Sequence, residues 1–284
     1  MDYEVVIPAA EKDFNKLEYL FSSLHYLNPQ PKKITVIHNE NVPLRRIRIG
    51  DIPIAYAQER SVLDLDPTAA KLFRRPPWIY QQFLKLFQNI TETNLYLILD
   101  SDIILNRRID LLDKDGKAKF FLGNDQNHKP YFRYSQDMFG FGREYDHSFI
   151  SEIMLFDKAI CNVLITEHHY HMSKIDDYGT GSKEYHVKKY MTLNFNNADG
   201  KERMESIKEI YNLTCLGATD NWIPSDYEIY GNFVHKEFPK LYSKEKIKTF
   251  MRGKYQSWTN EELETYIKEM NGTDYDTFTA HTWI

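Results

Sequence analysis

An unbroken apolar run, Leu95-Tyr96-Leu97-Ile98-Leu99, stops at Asp100-Ser101-Asp102 and resumes as Ile103-Ile104-Leu105. A run this short, without helical spacing, reads as a strand covered on both faces, which belongs in a parallel or mixed sheet. Ligands of such sheets gather at the carboxyl ends of the strands. Residues i and i+2 of an extended segment project to the same side, so Asp100 and Asp102 together suit a hard divalent ion, held directly or through water. Ser101 then faces away or offers its backbone. On the tripeptide alone a turn or a helix cap is an equal reading. The next residues, however, are a second apolar triplet and then Asn106-Arg107-Arg108, which is not the opening of an amphipathic helix. Carboxylates that interrupt a hydrophobic path need a partner, because burying them alone is costly.

The chain leading to this point alternates strand and helix. Glu4 to Pro8 is a first strand, and Ala10 to Leu27 a helix with Phe14, Leu17, Leu20, Phe21 and Leu24 at spacings of three and four. Lys33 to His38 is a second strand and Ile52 to Tyr56 a short third. Pro76-Pro77 then introduces a helix from about Trp78 to Asn89. This rhythm predicts an α/β fold, a Rossmann-like, mixed and mainly parallel sheet flanked by helices, with the carboxylates on its ligand-bearing edge. No G-x-G-x-x-G follows the first strand, where Pro8-Ala9-Ala10-Glu11 stands, and no G-x-x-x-x-G-K-[ST] occurs, so no glycine loop cradles phosphate. Beyond residue 116, Lys119 to Gly123 reads as a strand, Ser148 to Glu167 and Lys201 to Tyr211 as helices, and His168 to Asn197 as a polar, aromatic, loop-prone stretch. Ser225 and Glu228 fit a capping box. With no internal repeat and no linker, residues 1–284 are expected to form one unit with a C-terminal helical and loop elaboration.

Composition narrows the partners. At 284 residues, 42% of them hydrophobic, the chain can build a substantial core. A net charge of -5 argues against general nucleic-acid binding, although Arg45-Arg46-Ile47-Arg48 and Arg74-Arg75 are local basic clusters. Only Cys161 and Cys215 occur, without metal-site spacing, which suits a reducing compartment. No apolar stretch approaches the roughly 20 residues that span a bilayer, and Met1-Asp2-Tyr3-Glu4 leads straight into a strand, so a cytoplasmic location is expected, with peripheral contact at the inner membrane surface open. The 20 tyrosines and 17 phenylalanines suit either a Tyr-rich core or stacking on sugar rings. His168, His169 and His171 lack a metal-site spacing and read as solvated or substrate-lining.

Three segments carry a resemblance. Trp78-Ile79-Tyr80-Gln81-Gln82-Phe83-Leu84-Lys85, then Asp100-Ser101-Asp102, then Ser225-Asp226-Tyr227-Glu228-Ile229-Tyr230-Gly231 resemble the W-x-x-Q-Q-x-x-K, D-x-D and S-E-Y-E-x-Y-G signatures of a bacterial and viral family of GT-A glycosyltransferase-like proteins, with Asp226 where Glu is the rule. The resemblance implies a GT-A fold whose residues 1–115 bind a nucleotide sugar, a UDP-sugar first, and whose residues 116–284 receive a glycan or glycolipid acceptor in surface polysaccharide or glycoconjugate synthesis. It implies Mn2+ or Mg2+ held against the donor diphosphate by Asp100, Asp102 and a late histidine, His281. It also implies that Pro8, Ala9, Ala10 and Asn39 wall the nucleoside, and Ser101 is counted with the donor-binding residues. Lys85 and Arg75, with Arg74, are candidates for the donor phosphates, and Gln82 for the sugar. A hexosyl transfer that inverts configuration needs a carboxylate to deprotonate the acceptor. Asp226 and Glu228 are the candidates, with Asp220 and Asp125 as rivals, and Asp226 is preferred if Glu228 serves the cap. Two other classes remain open: a non-catalytic sugar- or nucleotide-binding protein of the same fold, and a D-x-D phosphatase with Asp100 as nucleophile.

Overall fold

The computed structural model describes residues 1–39, 49–123, 127–166 and 200–282. The Arg45 to Arg48 cluster, Asp125 and His168, His169 and His171 lie outside the described residues, the last arginine of the cluster included. The apolar runs become strands as their patterning requires: β1 (Tyr3–Ala9), β2 (Ile34–His38), β3 (Ile54–Gln58), β4 (Leu95–Leu99) and, after the Asp100 to Asp102 turn, β5 (Ile103–Leu105) and later β6 (Ile153–Asp157). The central sheet has the order β3-β2-β1-β4-β6, with the first four strands parallel and β6 antiparallel to β4. Every residue of β1 is buried, as a strand with helices on both sides must be. Helices α1 (Phe14–Ser23) and α2 (Pro76–Phe87) occupy the two predicted helical segments, α2 opening two residues earlier than expected. Short 3-10 turns, Glu11–Asp13 and Leu24–Tyr26, take up the ends of the first segment. Pro76 and Pro77 occupy the first turn of α2, where a missing N–H is no loss.

The segment Ser148 to Glu167 departs from its helical reading. Ile153-Met154-Leu155-Phe156 are all buried and pair in register with Tyr96 to Leu99 as the edge strand β6, and helix begins only at residue 158. Four consecutive apolar residues satisfy a buried strand and one turn of helix alike, and the free edge of β4 decides between them. The C-terminal part likewise adds strands to its helices. After α3 (Lys129–Phe139) and α4 (Gly200–Gly217) come α5 (Asp226–Glu237), β7 (Thr249–Lys254), α6 (Asn260–Met270) and β8 (Thr277–Thr282). The order β7-β8-β5 makes a second, small sheet in which β8 runs antiparallel to β5. Helix α6 opens on a complete capping box between Thr259 and Glu262 and closes a satellite core with Ile104, Trp258, Leu263, Tyr266, Met270 and Phe278.

This small sheet positions the carboxylate turn. Thr279 pairs with Ile103, and the N–H of Ala280 donates to the Asp102 carbonyl at 3.0 Å. The chain therefore leaves the main sheet at Asp100, enters the small sheet at Ile103, and has β8 laid along it. Helix α5 is seated by a close approach: a Cβ on Gly231 would lie 2.2 Å from Cγ of the buried Phe149 ring. Alanine is the better helix former by about 1 kcal/mol, so propensity alone predicts a gain from Gly231→Ala. Overpacking of this kind costs about 1–3 kcal/mol, and urea unfolding of Gly231→Ala is expected to show a net loss of stability.

Candidate active site

Strand order fixes where a ligand belongs. The chain steps from β1 to β2 and β3 on one side, then returns to β4 on the other, so the switch point lies between the carboxyl ends of β1 and β4. Val6 pairs with Ile98, and continuing that register sets Asp100 level with Pro8. Ala9 pairs with His38, the last residue of β2, so Pro8, Ala9, Ala10 and Asn39 stand along the same edge. Ala10 is exposed and carries no bulk, which leaves this lip of the crevice open.

One face of α2 supplies the next layer. Trp78, Gln82 and Lys85 stand at i, i+4 and i+7, hence on one side of the helix. Lys85 is 3% exposed, and its Nζ lies 2.6 Å from Asp100 Oδ1 and 3.6 Å from Asp226 Oδ2. The ammonium also sits 4.8 Å from the centroid of the Tyr227 ring, a cation–π contact. Tyr227 donates its hydroxyl to Asp100 Oδ1 at 3.1 Å, and Gln82 Oε1 accepts the Asp226 N–H at 3.1 Å. Burial alone would drive Lys85 toward neutrality, but the charges of Asp100 and Asp226 reverse this and hold its pKa above the ordinary lysine value. Burial raises Asp226 to about 6 despite Lys85 and its place in the first turn of α5, and its Oδ2 has no hydrogen bond among the described residues.

Across the crevice stands a second array. His281 Nδ1 lies 3.0 Å from Asp102 Oδ2 and His281 Nε2 lies 3.0 Å from Glu152 Oε1. Burial opposes charge on the imidazole, but the two carboxylates outweigh it and raise His281 to about 11. Asp102 is lowered on balance, burial being outweighed by His281, whereas burial lifts Glu152 to about 7 against the same imidazole. Beneath the turn, Ser101 Oγ points to Asp13 Oδ2 at 3.4 Å, and Asp13 is paired at 2.6 Å with the fully buried Lys16. Lys16 also donates to Thr282 Oγ1 at 3.0 Å. Among the described residues, the crevice thus sets four carboxylates (Asp100, Asp102, Glu152 and Asp226) against two cations (Lys85 and His281), with Asp13, Lys12 and Lys16 beneath the turn.

The residues singled out from sequence divide accordingly. Asp100, Asp102, His281, Lys85, Gln82 and Asp226 converge, with Pro8, Ala9, Ala10 and Asn39 along the edge. Ser101 turns inward, away from the crevice. Arg75 is exposed at the amino end of α2, 5.8 Å from the Trp78 ring centroid. Asp220 pairs at the surface with Arg74 at 3.6 Å. Glu228 completes only half of its expected capping box. Its N–H donates to Ser225 Oγ at 3.4 Å, but its carboxylate accepts from Ser148 Oγ at 2.6 Å and Asn232 Nδ2 at 2.9 Å. The buried Ser148 hydroxyl competes better than the cap backbone, so Glu228 ties α5 to the segment before β6. Sequence reasoning misses Asp13, Lys16, Glu152 and Tyr227. Tyr227 lies inside the Ser225 to Gly231 motif and is open to notice there, whereas Glu152 is hidden by the helical reading of its segment.

Among the described residues no three His, Cys, Asp or Glu side chains stand grouped as ligands of one ion. Asp100 is turned to Lys85 and Tyr227, and Asp102 to His281. The donor chemistry nonetheless suits a hard divalent ion: carboxylate oxygens and one imidazole, with negative charge in excess.

No curated protein matches the sequence. Among solved structures, the apo form of mouse xyloside xylosyltransferase 1 is similar at 12% identity, with a TM-score of 0.45, over 98% of this chain and 97% of that one. A family model described as a family of unknown function, DUF6492, matches residues 3–271, and the chain belongs to that family.

Proposed function

We propose that this protein is a glycosyltransferase that moves a sugar from a nucleotide-sugar donor, a UDP-sugar first, to a hydroxyl of a glycan or glycolipid acceptor. The observation that carries the reading is the carboxylate excess at the switch-point crevice, where four acids meet two cations in a partly buried setting. Asp100, Asp102 and His281 are the residues that would hold Mn2+ or Mg2+, and a divalent ion there offsets the excess and neutralises charge on a leaving nucleoside diphosphate. Pro8, Ala9, Ala10 and Asn39 wall the nucleoside, and Lys85 keeps Asp100 aimed while Gln82 holds the amino end of α5. In transfer the acceptor oxygen bonds to the anomeric carbon, the bond from that carbon to the diphosphate breaks, and the acceptor proton goes to a carboxylate. Asp226 is the acid proposed to take it, with an unbonded Oδ2 and a pKa lifted to about 6 by burial, near the range a general base needs. Glu228, engaged by Ser148 and Asn232, is assigned to structure.

A second reading has one observation in its favour. The Asp226 side chain is 2% exposed, which suits transfer with retention, in which Asp226 only sets the charge and position of Lys85 and Asp100. The anomeric configuration of the product separates the two. Among the described residues no helix is long and apolar enough to cross a membrane, and an acceptor met at the inner membrane surface is part of the proposal.

Thermal shift with UDP-, GDP-, CMP- and dTDP-sugars, with and without Mn2+, tests the donor, because a ligand that binds only the folded state raises its apparent stability. A rise with one nucleotide class, dependent on Mn2+ and lost in Asp102→Ala, is expected. Undiminished metal-dependent binding in Asp102→Ala would refute the ligand assignment, and turnover of simple phosphate esters would favour the phosphatase. For Asp226→Asn, transfer is expected to fall by 10²-fold or more, within the range of general-base contributions of about 10²–10⁴. The same variant has a stability signature. The acid titrates near 3.8 when unfolded and about 6 when folded, so the wild type loses stability as pH rises between those values and bears the full penalty of a buried charge above them. The melting difference, Asn variant minus wild type, is expected to increase from pH 4 to pH 6 and then level off. A flat difference would show that the carboxyl carries no such penalty.

A further inference from the structure

Glu152 has no part in the reaction as proposed, yet it touches both sides of the crevice. It stands immediately before β6 with φ at 61°, a left-handed backbone that a residue with a long side chain adopts only when its surroundings impose it. It is 7% exposed. Its carbonyl accepts the Asp100 N–H at 3.2 Å, while its Oε1 lies 3.0 Å from His281 Nε2. The same imidazole meets Asp102 Oδ2 through Nδ1 at 3.0 Å, so a carboxylate grips each ring nitrogen.

A tie between strands does not account for this side chain. The main chain around His281 is already held without it: Ala280 N–H donates to the Asp102 carbonyl at 3.0 Å, Trp258 Nε1 donates to the His281 carbonyl at 2.9 Å, and Lys12 donates to the Thr282 carbonyl at 2.8 Å. What Glu152 adds is a hold on the ring alone. An imidazole that accepts a hydrogen bond or a metal at one nitrogen has that nitrogen chosen by the hydrogen bond the other one makes.

We propose that Glu152 is a positioning residue for His281: by accepting from Nε2–H it fixes the ring plane and leaves Nδ1, on the Asp102 side, as the nitrogen His281 offers to a divalent cation. This rests on the cation reading of the crevice. Asn tolerates the left-handed backbone but is too short to reach His281, whereas Gln keeps an acceptor oxygen at the right distance. Mn2+ binding is measured on the full chain by calorimetry, for the wild type, Glu152→Asn and Glu152→Gln. Loss of an outer carboxylate typically lowers metal affinity about 10–100-fold. That loss is expected for Asn with a cooperative melt and an unchanged far-UV spectrum, and Gln is expected to recover most of the affinity. In Mg2+-saturated protein, imidazole 15N shifts of His281 are expected to show a protonated Nε2 and an unprotonated Nδ1 in the wild type, and to lose that signature in Glu152→Asn. Wild-type binding with an Asn variant of equal affinity and equal 15N shifts overturns this inference alone. A wild type that binds no Mn2+ overturns the cation reading and this inference with it.

Discussion

The Lys85 ammonium, 2.6 Å from Asp100 and 3.6 Å from Asp226, is what allows carboxylates to stand at the end of a strand whose residues 96–99 have no exposure at all. Burial opposes charge on the Lys85 amine, and the carboxylates of Asp100 and Asp226 more than offset it, while burial still lifts Asp226. The three groups meet at a distance that a long, unbranched side chain reaches from a helix. The arrangement is asymmetric in its energetics: deleting one partner strands the other charge, which is far more damaging than exchanging the whole set for apolar residues. Such a set is weak evidence for stability, and its place at the switch point supports the proposed use of that edge.

The turn is braced from beneath by a separate pair. Lys16 and Asp13, both buried, lie under Ser101 and reach Thr282, tying α1 to the turn and to β8. Asp100 and Asp102 thus leave the same three-residue turn toward different cations, Lys85 on α2 and His281 on β8. Glu152 touches both arms, by its backbone on one side and its carboxylate on the other. The crevice is a junction of two sheets rather than a pocket in one.

The first hundred residues are readable because their signals are local. Val5-Val6-Ile7, Ile34 to Ile37 and Leu95 to Leu99 are apolar runs bounded by polar turns, and α1 and α2 show helical spacing, so a parallel sheet and its ligand-bearing edge follow from α/β topology. The pairing of Asp102 with His281 is reached from sequence by resemblance, and its physical cause, the antiparallel pairing of β5 with β8 across more than 170 residues, leaves no mark in either segment. Residues 153–156 are misread because four apolar residues in a row carry no period. That error conceals Glu152, whose signal is a backbone angle. The capping box at Ser225 is half right for a related reason: the motif is local, but Ser148, which takes the Glu228 carboxylate, is 80 residues away.

The β5–β8 pairing also sets how much of the chain the crevice needs. Lys85 and Asp100 meet across a short stretch, whereas His281 and Asp102 meet across 179 residues, and closing the longer loop costs more chain entropy. The strand that carries His281 is held by β5 and by the Trp258 and Lys12 contacts to its carbonyls. A chain cut before Thr277 therefore keeps every residue of the Lys85 array and loses the histidine of the other.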